Sequence, residues 1–320
     1  MSSISLLVVS DLDVGSTVQG DALLNRGGWI EMDSVDGGRV WHHSRSSVHL
    51  WWRNQSHLFS NHLDEKYRNS TGFEISEVLF LSRHVAASGL PSLTLHAIGV
   101  LGLEPLGEAA EFGGINGRAV PPSPRFASLF RRLNRIAKRH GLTDEFDITL
   151  ETTHHGPLLI TPSLFIEIGS TAEHWGREDA ANVWAEVLGE ELGLDSSMPL
   201  SQSSGIVMVG LGGGHYAPRH RNVLLETNVL TGHLLAGYSL NMSRPEGDWD
   251  PVSDRLPEGP WINSIDVAIK QTSESFPNHK VVAHLDRKSF KGWQRQSIKR
   301  YLESINIEIF RLADFVKFES

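Results

Sequence analysis

Residues 163–192 read SLFIEIGSTAEHWGREDAANVWAEVLGEEL and join a short apolar strand to a long amphipathic helix. Between residues 178 and 192 the apolar side chains follow the period of one helical face, namely Ala180, Val183, Trp184, Val187 and Leu188. Short apolar runs alternate with longer amphipathic ones along the rest of the chain. This alternation favours a mixed or parallel sheet with helices on both faces, so the sequence predicts an α/β fold.

Hydrophobic periodicity predicts eight strands and six helices. The strands cover residues 4–9, 78–82, 92–98, 146–152, 163–168, 205–211, 280–285 and 305–310. The helices cover residues 61–69, 125–140, 178–192, 229–235, 262–275 and 289–304. Three segments rich in Gly, Pro or small polar residues are expected to be loops, namely 102–124, 195–204 and 243–260. Because no segment has the composition of a flexible linker, we expect one domain over residues 1–320, with 243–260 as a loop insertion.

The composition limits both the kind of protein and the kind of site. The chain has 320 residues, 40% of them hydrophobic and 21% charged, which is an ordinary globular balance. The absence of cysteine excludes disulfides and thiolate metal ligands. No apolar run approaches the length of about 18 residues that spans a membrane, and the first residues lack the features of a signal peptide. We therefore expect a cytoplasmic protein in which any metal is held by histidines and carboxylates.

The formal net charge of −9 argues against a surface that is basic overall. Two predicted helical segments, 125–139 and 288–300, nevertheless concentrate Arg and Lys around an apolar stripe. A solvated outer face explains each helix as well as a local nucleic-acid face does. Both interpretations stay open at this point.

Histidines and one carboxylate lie on or near the ends of the predicted strands. His84 follows one strand and His96 lies on the next, while the adjacent His154 and His155 follow the strand 146–152. Glu167 interrupts an apolar strand, where burial is costly unless the carboxylate meets a cation or a hydrogen-bond donor. His96 alone is explained equally well as a hydrogen-bonded core histidine. Together the residues predict a metal or general-base site at the strand ends, and a hydrolase as the protein class.

A run of three glycines, Gly212–Gly214, follows the predicted strand 205–211 and leads directly to His215. Glycines allow the backbone to approach a ligand closely and present N–H groups to an oxyanion or a phosphate. The spacing matches neither the dinucleotide fingerprint nor the P-loop. In another block, Ser170 and Glu173 have the spacing of a capping box, and capping explains Ser170 better than a nucleophilic role does.

The order and spacing of these blocks resemble the D-aminoacyl-tRNA deacylases of archaea and plants. The blocks are Ser82-Arg-His84, Ser92-Leu-Thr-Leu-His96, Thr153-His-His-Gly-Pro157, residues 163–171 and Gly212-Gly-Gly-His-Tyr-Ala-Pro-Arg219. The resemblance extends through Glu111-Phe-Gly-Gly114, Thr231-Gly-His233 and Asp286-Arg-Lys-Ser-Phe-Lys-Gly292, and residues 1–75 are less distinctive. The chain departs from the family pattern at Ala86-Ala87, where small hydroxyl residues are common, at Val100, where Asn is usual, and in a longer segment 243–260.

The resemblance implies a three-layer α/β/α fold with a mixed sheet, akin to peptidyl-tRNA hydrolases and nucleoside phosphorylases, and a requirement for zinc. It also implies hydrolysis of the ester bond of D-aminoacyl-tRNA, with release of free D-amino acid and tRNA. Such an activity serves chiral proofreading, a form of translation quality control. The expected partner is the acceptor end of D-aminoacyl-tRNA, and we expect a monomer that binds neither DNA nor a membrane.

The resemblance also suggests roles for individual residues, which we state as a hypothesis. Zinc would be held by a subset of His84, His96, His154, His155, Glu167, His215 and His233. Because sequence does not separate a ligand from a general base, the catalytic candidates are His84, His96, His154, His155 and His215. Substrate binding is assigned to Arg83 and Arg219 at the terminal phosphate, and to the amides of Gly212, Gly213 and Gly214 at the tetrahedral oxyanion. The two basic helices would face the acceptor stem.

Other activities stay open on the same residues. A peptidyl-tRNA hydrolase-like enzyme would accept N-blocked L-aminoacyl-tRNA, and another metal-dependent esterase would act on a different ester. An enzyme similar to nucleoside phosphorylases would use the glycine run for phosphate. A non-catalytic tRNA-binding module would leave the ester intact. A serine nucleophile is not favoured, because the chain has no Gly-x-Ser-x-Gly elbow.

Overall fold

The computed structural model describes residues 3–102, 112–195 and 205–319. The strands are β1 (Ser3–Ser10), β2 (Trp29–Val35), β3 (Gly38–His43), β4 (Val48–Arg53), β5 (Glu74–Arg83), β6 (Ser92–His96), β7 (Gly99–Val100), β8 (Arg118–Ala119), β9 (Asp147–Leu150), β10 (Ser163–Gly169), β11 (Ile206–Leu211), β12 (Leu230–Leu235), β13 (Lys280–Leu285) and β14 (Ile309–Phe310). The helices are α1 (Val14–Asn25), α2 (Leu63–Thr71), α3 (Phe126–Arg139), α4 (Ala172–Trp175), α5 (Glu178–Leu192), α6 (Pro218–Glu226), α7 (Trp261–Ser275), α8 (Gly292–Ser304) and α9 (Leu312–Glu319). Among the described residues, no helix is both long and apolar enough to cross a membrane.

The larger sheet has eight strands in the order β2-β3-β4-β1-β5-β10-β6-β9. Its centre is parallel, because β1 pairs in parallel with β4 and β5, and β5 pairs in parallel with β10. The pairs β2–β3, β3–β4 and β10–β6 are antiparallel, so the sheet is mixed. A second sheet, in the order β12-β11-β13-β14, is parallel throughout.

Helices cover both faces of the larger sheet. One face packs against α1, α3 and α5, and its buried side chains include Leu79, Leu81 and Ile166. The opposite face carries Phe80 and Phe165 and packs against α2. Burial on both faces explains why the central strands are continuous apolar runs without alternation. The expected α/β class with a mixed sheet and helices on both faces is confirmed.

One predicted helix is wrong. Residues 229–235 were expected to be helical, whereas Leu230–Leu235 forms β12, an edge strand of the second sheet in which every side chain is buried. A strand that is buried on both faces has no alternating pattern, and a short apolar run of this kind fits a helix and a strand equally well.

Several elements were not predicted. The strands β2, β3 and β4 are rich in Trp, His and Arg and lack a simple apolar pattern. Helix α1 places small and polar residues against the sheet, including Gly15, Ser16 and Gly20, and so has no apolar stripe. The segment 243–260 contains only turns and one isolated bridge, as expected of a loop. Residues 103–111 and 196–204, which fall in the other two predicted loops, lie outside the described residues, as does Glu111 of the family-like block 111–114.

Candidate metal centre

Two buried glutamates and five histidines meet where the two sheets join. In the larger sheet, β10 lies between β5 and β6, so that Glu167 pairs with Ser82 on one side and Thr94 on the other. His84 follows β5 and His96 ends β6, which brings both rings to Glu167. The remaining members of the cluster come from segments after β9 and β11, and they are Glu151, His154, His155 and His215.

Glu151 lies at the centre of this cluster, and its side chain has no exposed surface. Its Oε2 atom is 2.7 Å from Nε2 of His215 and 3.5 Å from Nε2 of His154. Its Oε1 atom is 3.1 Å from Nδ1 of His84. None of these contacts has the geometry of a hydrogen bond, since neither carboxylate oxygen has a hydrogen-bond partner within the described part of the chain. Carboxylate oxygens and imidazole nitrogens that lie this close together without hydrogen-bonding to one another can coordinate the same cation.

Glu167 makes a second link across the cluster. Its Oε2 atom is 3.3 Å from Nδ1 of His84, and its Oε1 atom is 3.8 Å from Nε2 of His96. Only 3% of the side chain is exposed. The two glutamates therefore bridge histidines that come from different strands.

The ligand atoms fall into two groups of three. In each group, His96 with His154 and His155, and Glu151 with His84 and His215, the ligand atoms lie within 4.8 Å of one another. Nε2 of His96 and Nδ1 of His155 are buried and have no hydrogen-bond partner among the described residues. A buried nitrogen in that condition is costly unless it binds a ligand, so both groups fit a metal ion.

Backbone carbonyls orient two of the rings. Nδ1 of His154 lies 2.7 Å from the carbonyl oxygen of Thr152, and Nδ1 of His96 lies 3.0 Å from that of Ala97. Each Nδ1–H donates to its carbonyl, so the lone pair of Nε2 faces the cluster, as in most metal-binding histidines. His84 is oriented from the opposite side, because its Nε2 lies 2.8 Å from the hydroxyl of Tyr216.

The cluster keeps its carboxylates ionised and two of its histidines neutral. Burial opposes ionisation of Glu151, but the charge of His84 and the contact with His215 lower the Glu151 pKa to about 2. Burial likewise opposes ionisation of Glu167, whose contacts with His84 and His96 lower its pKa to about 2. Burial and the neighbouring His96 hold the pKa values of His154 and His155 well below the ordinary value. Burial opposes protonation of His84 and His96, but the two glutamates raise the pKa of His84 to about 9 and raise that of His96 as well. Anionic carboxylates and neutral imidazoles are the forms that coordinate a metal, so His84 and His96 would each release a proton on binding one.

A cavity of about 610 Å³ opens beside the cluster. Its polar end is formed by His84, His154, His155, Glu167 and His215. Its apolar wall is formed by Leu12, Leu58, Val85, Phe112 and Phe165. A mostly apolar cavity with a few convergent polar groups is the usual form of a small-molecule site.

The other predicted site residues lie around this cluster in different ways. His233 belongs to neither group of ligand atoms; it is fully buried, and its Nδ1 lies 3.0 Å from the hydroxyl of Thr153. Arg83 lines the cavity, and its guanidinium lies 4.7 Å from the ring centre of Trp175. Arg219 is paired with Asp286, with 2.8 Å between Nε and Oδ1.

The glycine run forms a tight turn that positions His215. Gly212 and Gly213 have φ values of 99° and 102°, in the region that favours glycine. The Gly212 N–H donates to the carbonyl of Leu235 at 2.8 Å, and the Gly213 N–H donates to the hydroxyl of Ser289 at 2.7 Å. These two amides are therefore engaged by the protein itself, while the Gly214 carbonyl accepts from the hydroxyl of Thr152 at 3.3 Å.

Sequence reasoning missed Glu151 and Tyr216 and misjudged Ser170. Side chains two residues apart on a strand point to the same face, so Glu151 shares a face with Thr149 just before His154 and His155. This alternation is the sequence signal that could have identified Glu151. Ser170 does not cap a helix, because α4 begins after Thr171 and the Ser170 hydroxyl donates to the carbonyl of Leu90 at 2.6 Å.

The chain is similar over its length to proteins of one family. Residues 71–310 match the family model described as D-aminoacyl-tRNA deacylase. The D-aminoacyl-tRNA deacylase of Arabidopsis thaliana is 41% identical, over 98% of this chain and 99% of that protein. The protein of the same name from Methanosarcina barkeri is 31% identical, over 81% of this chain and 72% of that protein.

A solved structure is similar to the fold as a whole. A crystal structure described as that of a conserved protein of unknown function superposes with a TM-score of 0.77 and 26% identity, covering 99% of this chain and 98% of that one. The family model, the sequence relatives and the sequence blocks around the histidine cluster agree. The chain belongs to the D-aminoacyl-tRNA deacylase family.

Proposed function

We propose that this protein hydrolyses the ester that joins a D-amino acid to the terminal ribose of tRNA, releasing free D-amino acid and tRNA as a step of chiral proofreading. The observation that carries the proposal is the cluster of two buried carboxylates and five histidines at one end of a cavity, in a chain of this family. An ester is an activated substrate. A water nucleophile, a proton acceptor and a bound, oriented acyl group are sufficient to cleave it.

Zinc is the metal that we propose for both ligand groups. His96, His154 and His155 would hold one ion, and His84, Glu151 and His215 a second. Histidine and carboxylate ligands, three to a site, are those of catalytic zinc with an open position. A zinc ion bound there would supply a water molecule with a pKa of about 7. Nε2 of His96 and Nδ1 of His155 support the assignment, because neither has a hydrogen-bond partner in the part of the chain that the structure describes.

Glu167 is the proton acceptor in this proposal. Its carboxylate lines the cavity and contacts one histidine of each ligand group, His84 and His96, yet it is not itself a member of either group. From this position Glu167 accepts the proton of the attacking water at a carboxylate oxygen. It then returns the proton to the ribose oxygen as the ester bond breaks.

The apolar part of the cavity would hold the amino-acid side chain. Phe165 and Leu58 lie on the wall of a space of about 610 Å³, large enough for aromatic as well as aliphatic side chains. Arg83 lines the same space and is held by its cation–π contact with Trp175. We assign Arg83 to the terminal phosphate of tRNA, and the cavity walls to the exclusion of bulk water.

The location, domain organisation and oligomeric state are part of the same proposal. We propose that the reaction takes place in the cytoplasm, on the acceptor end of tRNA. We propose one domain over residues 1–320, acting as a monomer that binds neither DNA nor a membrane.

The test is hydrolysis of matched D-tyrosyl-tRNA and L-tyrosyl-tRNA by the purified protein supplied with zinc. Release of D-tyrosine at a much higher rate than L-tyrosine supports the proposal. Equal rates would remove the chiral part of the proposal, and no release from either would remove the ester substrate. Hydrolysis of N-acetyl-L-tyrosyl-tRNA in preference to both would indicate a peptidyl-tRNA hydrolase-like enzyme instead.

A further inference from the structure

The two predicted basic helices differ in whether their charges are available. Arg125, just before α3, is 2.6 Å from Glu77, and Arg132, Arg135 and Arg139 of α3 pair with glutamates of α5. The glutamates are Glu186, Glu190 and Glu191. Four of the six basic side chains of segment 125–139 are thus paired with glutamates, and Arg131 donates to the carbonyls of Leu224 and Val229, so most of these charges are not available to a polyanion. The local nucleic-acid face predicted for residues 125–139 is therefore not supported.

The loop between β13 and α8 has a different character. Arg287, Lys288 and Lys291 are all exposed. Among the described residues, no carboxylate lies within 4.0 Å of the charged nitrogens of these three side chains. The nearest acidic residue in sequence, Asp286, is neutralised by Arg219 at 2.8 Å. The loop thus carries three exposed positive charges on a protein whose formal net charge is −9.

The loop is held in place by hydrogen bonds to its own backbone. The side chain of Arg295, from α8, donates through Nη1 to the carbonyls of Arg287 at 3.0 Å and Phe290 at 2.7 Å. At its other end the Asp286 N–H donates to the carbonyl of Leu211 at 2.8 Å. A fixed backbone presents its exposed cations in one arrangement and reduces the ordering cost of binding a ligand.

The same loop adjoins the candidate metal centre. The Ser289 hydroxyl accepts the N–H of Gly213 at 2.7 Å, two residues before His215. The carbonyl of His215 accepts the N–H of Thr152 at 2.8 Å, and the ring of His215 contacts Glu151 at 2.7 Å. Consecutive Cα atoms are about 3.8 Å apart, so Gly213 and His215 lie within about 8 Å. A few nucleotides of single strand span the distance from the loop to the ligand cluster.

We propose that Arg287, Lys288 and Lys291 form the docking surface for the phosphates of the unpaired 3′ end of tRNA. This inference rests on the proposed function, because it names how the substrate of that site is held. The apolar cavity would receive the D-aminoacyl group, while the loop, which contacts the glycine turn that precedes His215, binds the sugar–phosphate backbone that leads to it. Lysine and arginine contacts to phosphate set the position of a nucleic acid without selecting its sequence.

The experiment compares the zinc-supplied wild-type protein with the triple variant Arg287→Gln/Lys288→Gln/Lys291→Gln. A second triple variant, Arg45→Gln/Lys138→Gln/Lys270→Gln, removes the same number of exposed charges elsewhere and is the control. Binding of uncharged tRNA is measured by fluorescence anisotropy across a range of salt concentrations. Hydrolysis is measured on D-tyrosyl-tRNA and on the small ester 3′-D-tyrosyl-adenosine, which has no phosphate.

The proposal predicts that the loop variant binds tRNA on the order of tenfold more weakly, with a salt dependence less steep by about 2 in log–log slope. Its KM for D-tyrosyl-tRNA rises in parallel, while hydrolysis of 3′-D-tyrosyl-adenosine and binding by the control variant are unchanged. Wild-type affinity and salt slope in the loop variant would overturn the proposal while leaving the proposed function intact. A wild-type protein that binds tRNA through the loop but hydrolyses neither ester would overturn the proposed function alone.

Discussion

Glu151 Oε2 lies 2.7 Å from Nε2 of His215, although Glu151 follows a strand of the larger sheet and His215 follows a strand of the smaller one. The contact therefore forms only when the two sheets pack together. An isolated bridge between Glu151 and Tyr216 and the hydrogen bond from Thr152 to the carbonyl of His215 fix the same junction. One ligand group is consequently a product of tertiary packing.

The variant Glu151→Gln tests the role of this junction. The amide keeps the size of the side chain but loses its negative charge, so we expect the ligand group of His84 and His215 to bind zinc at least tenfold more weakly. Activity on D-tyrosyl-tRNA should fall by about 10² or more at limiting zinc. Metal content after dialysis, measured by elemental analysis, checks the prediction. Glu145→Gln, which changes an exposed glutamate, is the matched control, and equal zinc content in both variants would contradict the assignment.

Glu151 also illustrates which parts of the site the sequence could predict. Glu167 stands out because a charge within the apolar strand 163–169 has no benign explanation. Glu151 does not stand out, because it borders the polar residues Thr152 and Thr153 at the end of a strand. The burial of Glu151 depends on packing against the second sheet. That sheet was harder to predict because residues 229–235, which contain one of its edge strands, were interpreted as a helix. The fold class, the central strands and most histidines of the candidate metal centre were predictable, because each depends on local sequence pattern.

The variant Leu58→Trp tests whether the apolar cavity holds the amino-acid side chain. Leu58 lines the cavity, whereas its neighbour Phe59 is exposed and does not. A tryptophan at position 58 fills part of the space, so we expect kcat/KM to fall at least tenfold for D-tyrosyl-tRNA and much less for D-alanyl-tRNA. The control Phe59→Trp should leave both substrates unaffected. A uniform loss on both substrates in Leu58→Trp would argue against a side-chain pocket.

Buried neutral histidines make the fold sensitive to acid. Burial lowers the pKa of His49 to about 4, and its Nδ1 contacts the hydroxyl of Tyr67 at 2.7 Å. The native state therefore leaves His49 uncharged while the unfolded chain binds a proton below about pH 6.5, so its contribution to stability is lost as the pH falls from about 6.5 towards 4. At pH 5.5 the loss amounts to about 1 kcal/mol.

The prediction is that His49→Gln reduces the fall in unfolding free energy between pH 7.5 and pH 5.5 by about 1 kcal/mol. Urea unfolding at the two pH values measures this difference directly. The variant His140→Gln, which removes an exposed histidine that pairs with Glu186, is measured alongside it as a surface substitution. An identical pH dependence in His49→Gln would refute the explanation.

The ion pairs between α3 and α5 should differ in their contribution to stability according to burial. Arg132 is 4% exposed and pairs with the buried Glu191, whereas Arg135 is 49% exposed and pairs with Glu190. Arg132→Met removes a positive charge that stabilises the buried carboxylate of Glu191, so it should lower the unfolding free energy by about 3 kcal/mol. Arg135→Met should cost less than about 1 kcal/mol. Equal losses in urea unfolding would show that burial does not decide the strength of this network.

We propose that histidines and glutamates brought together from both sheets hold the metal on which hydrolysis of D-aminoacyl-tRNA depends. The most direct measurement is the rate of D-tyrosine release from D-tyrosyl-tRNA after chelation, followed by stepwise return of zinc. We expect chelation to abolish release and zinc to restore it to a plateau, while Glu151→Gln needs a higher zinc concentration to reach half of its own maximum. An unchanged rate of hydrolysis after chelation, in protein shown to be free of metal, would contradict this dependence on a metal.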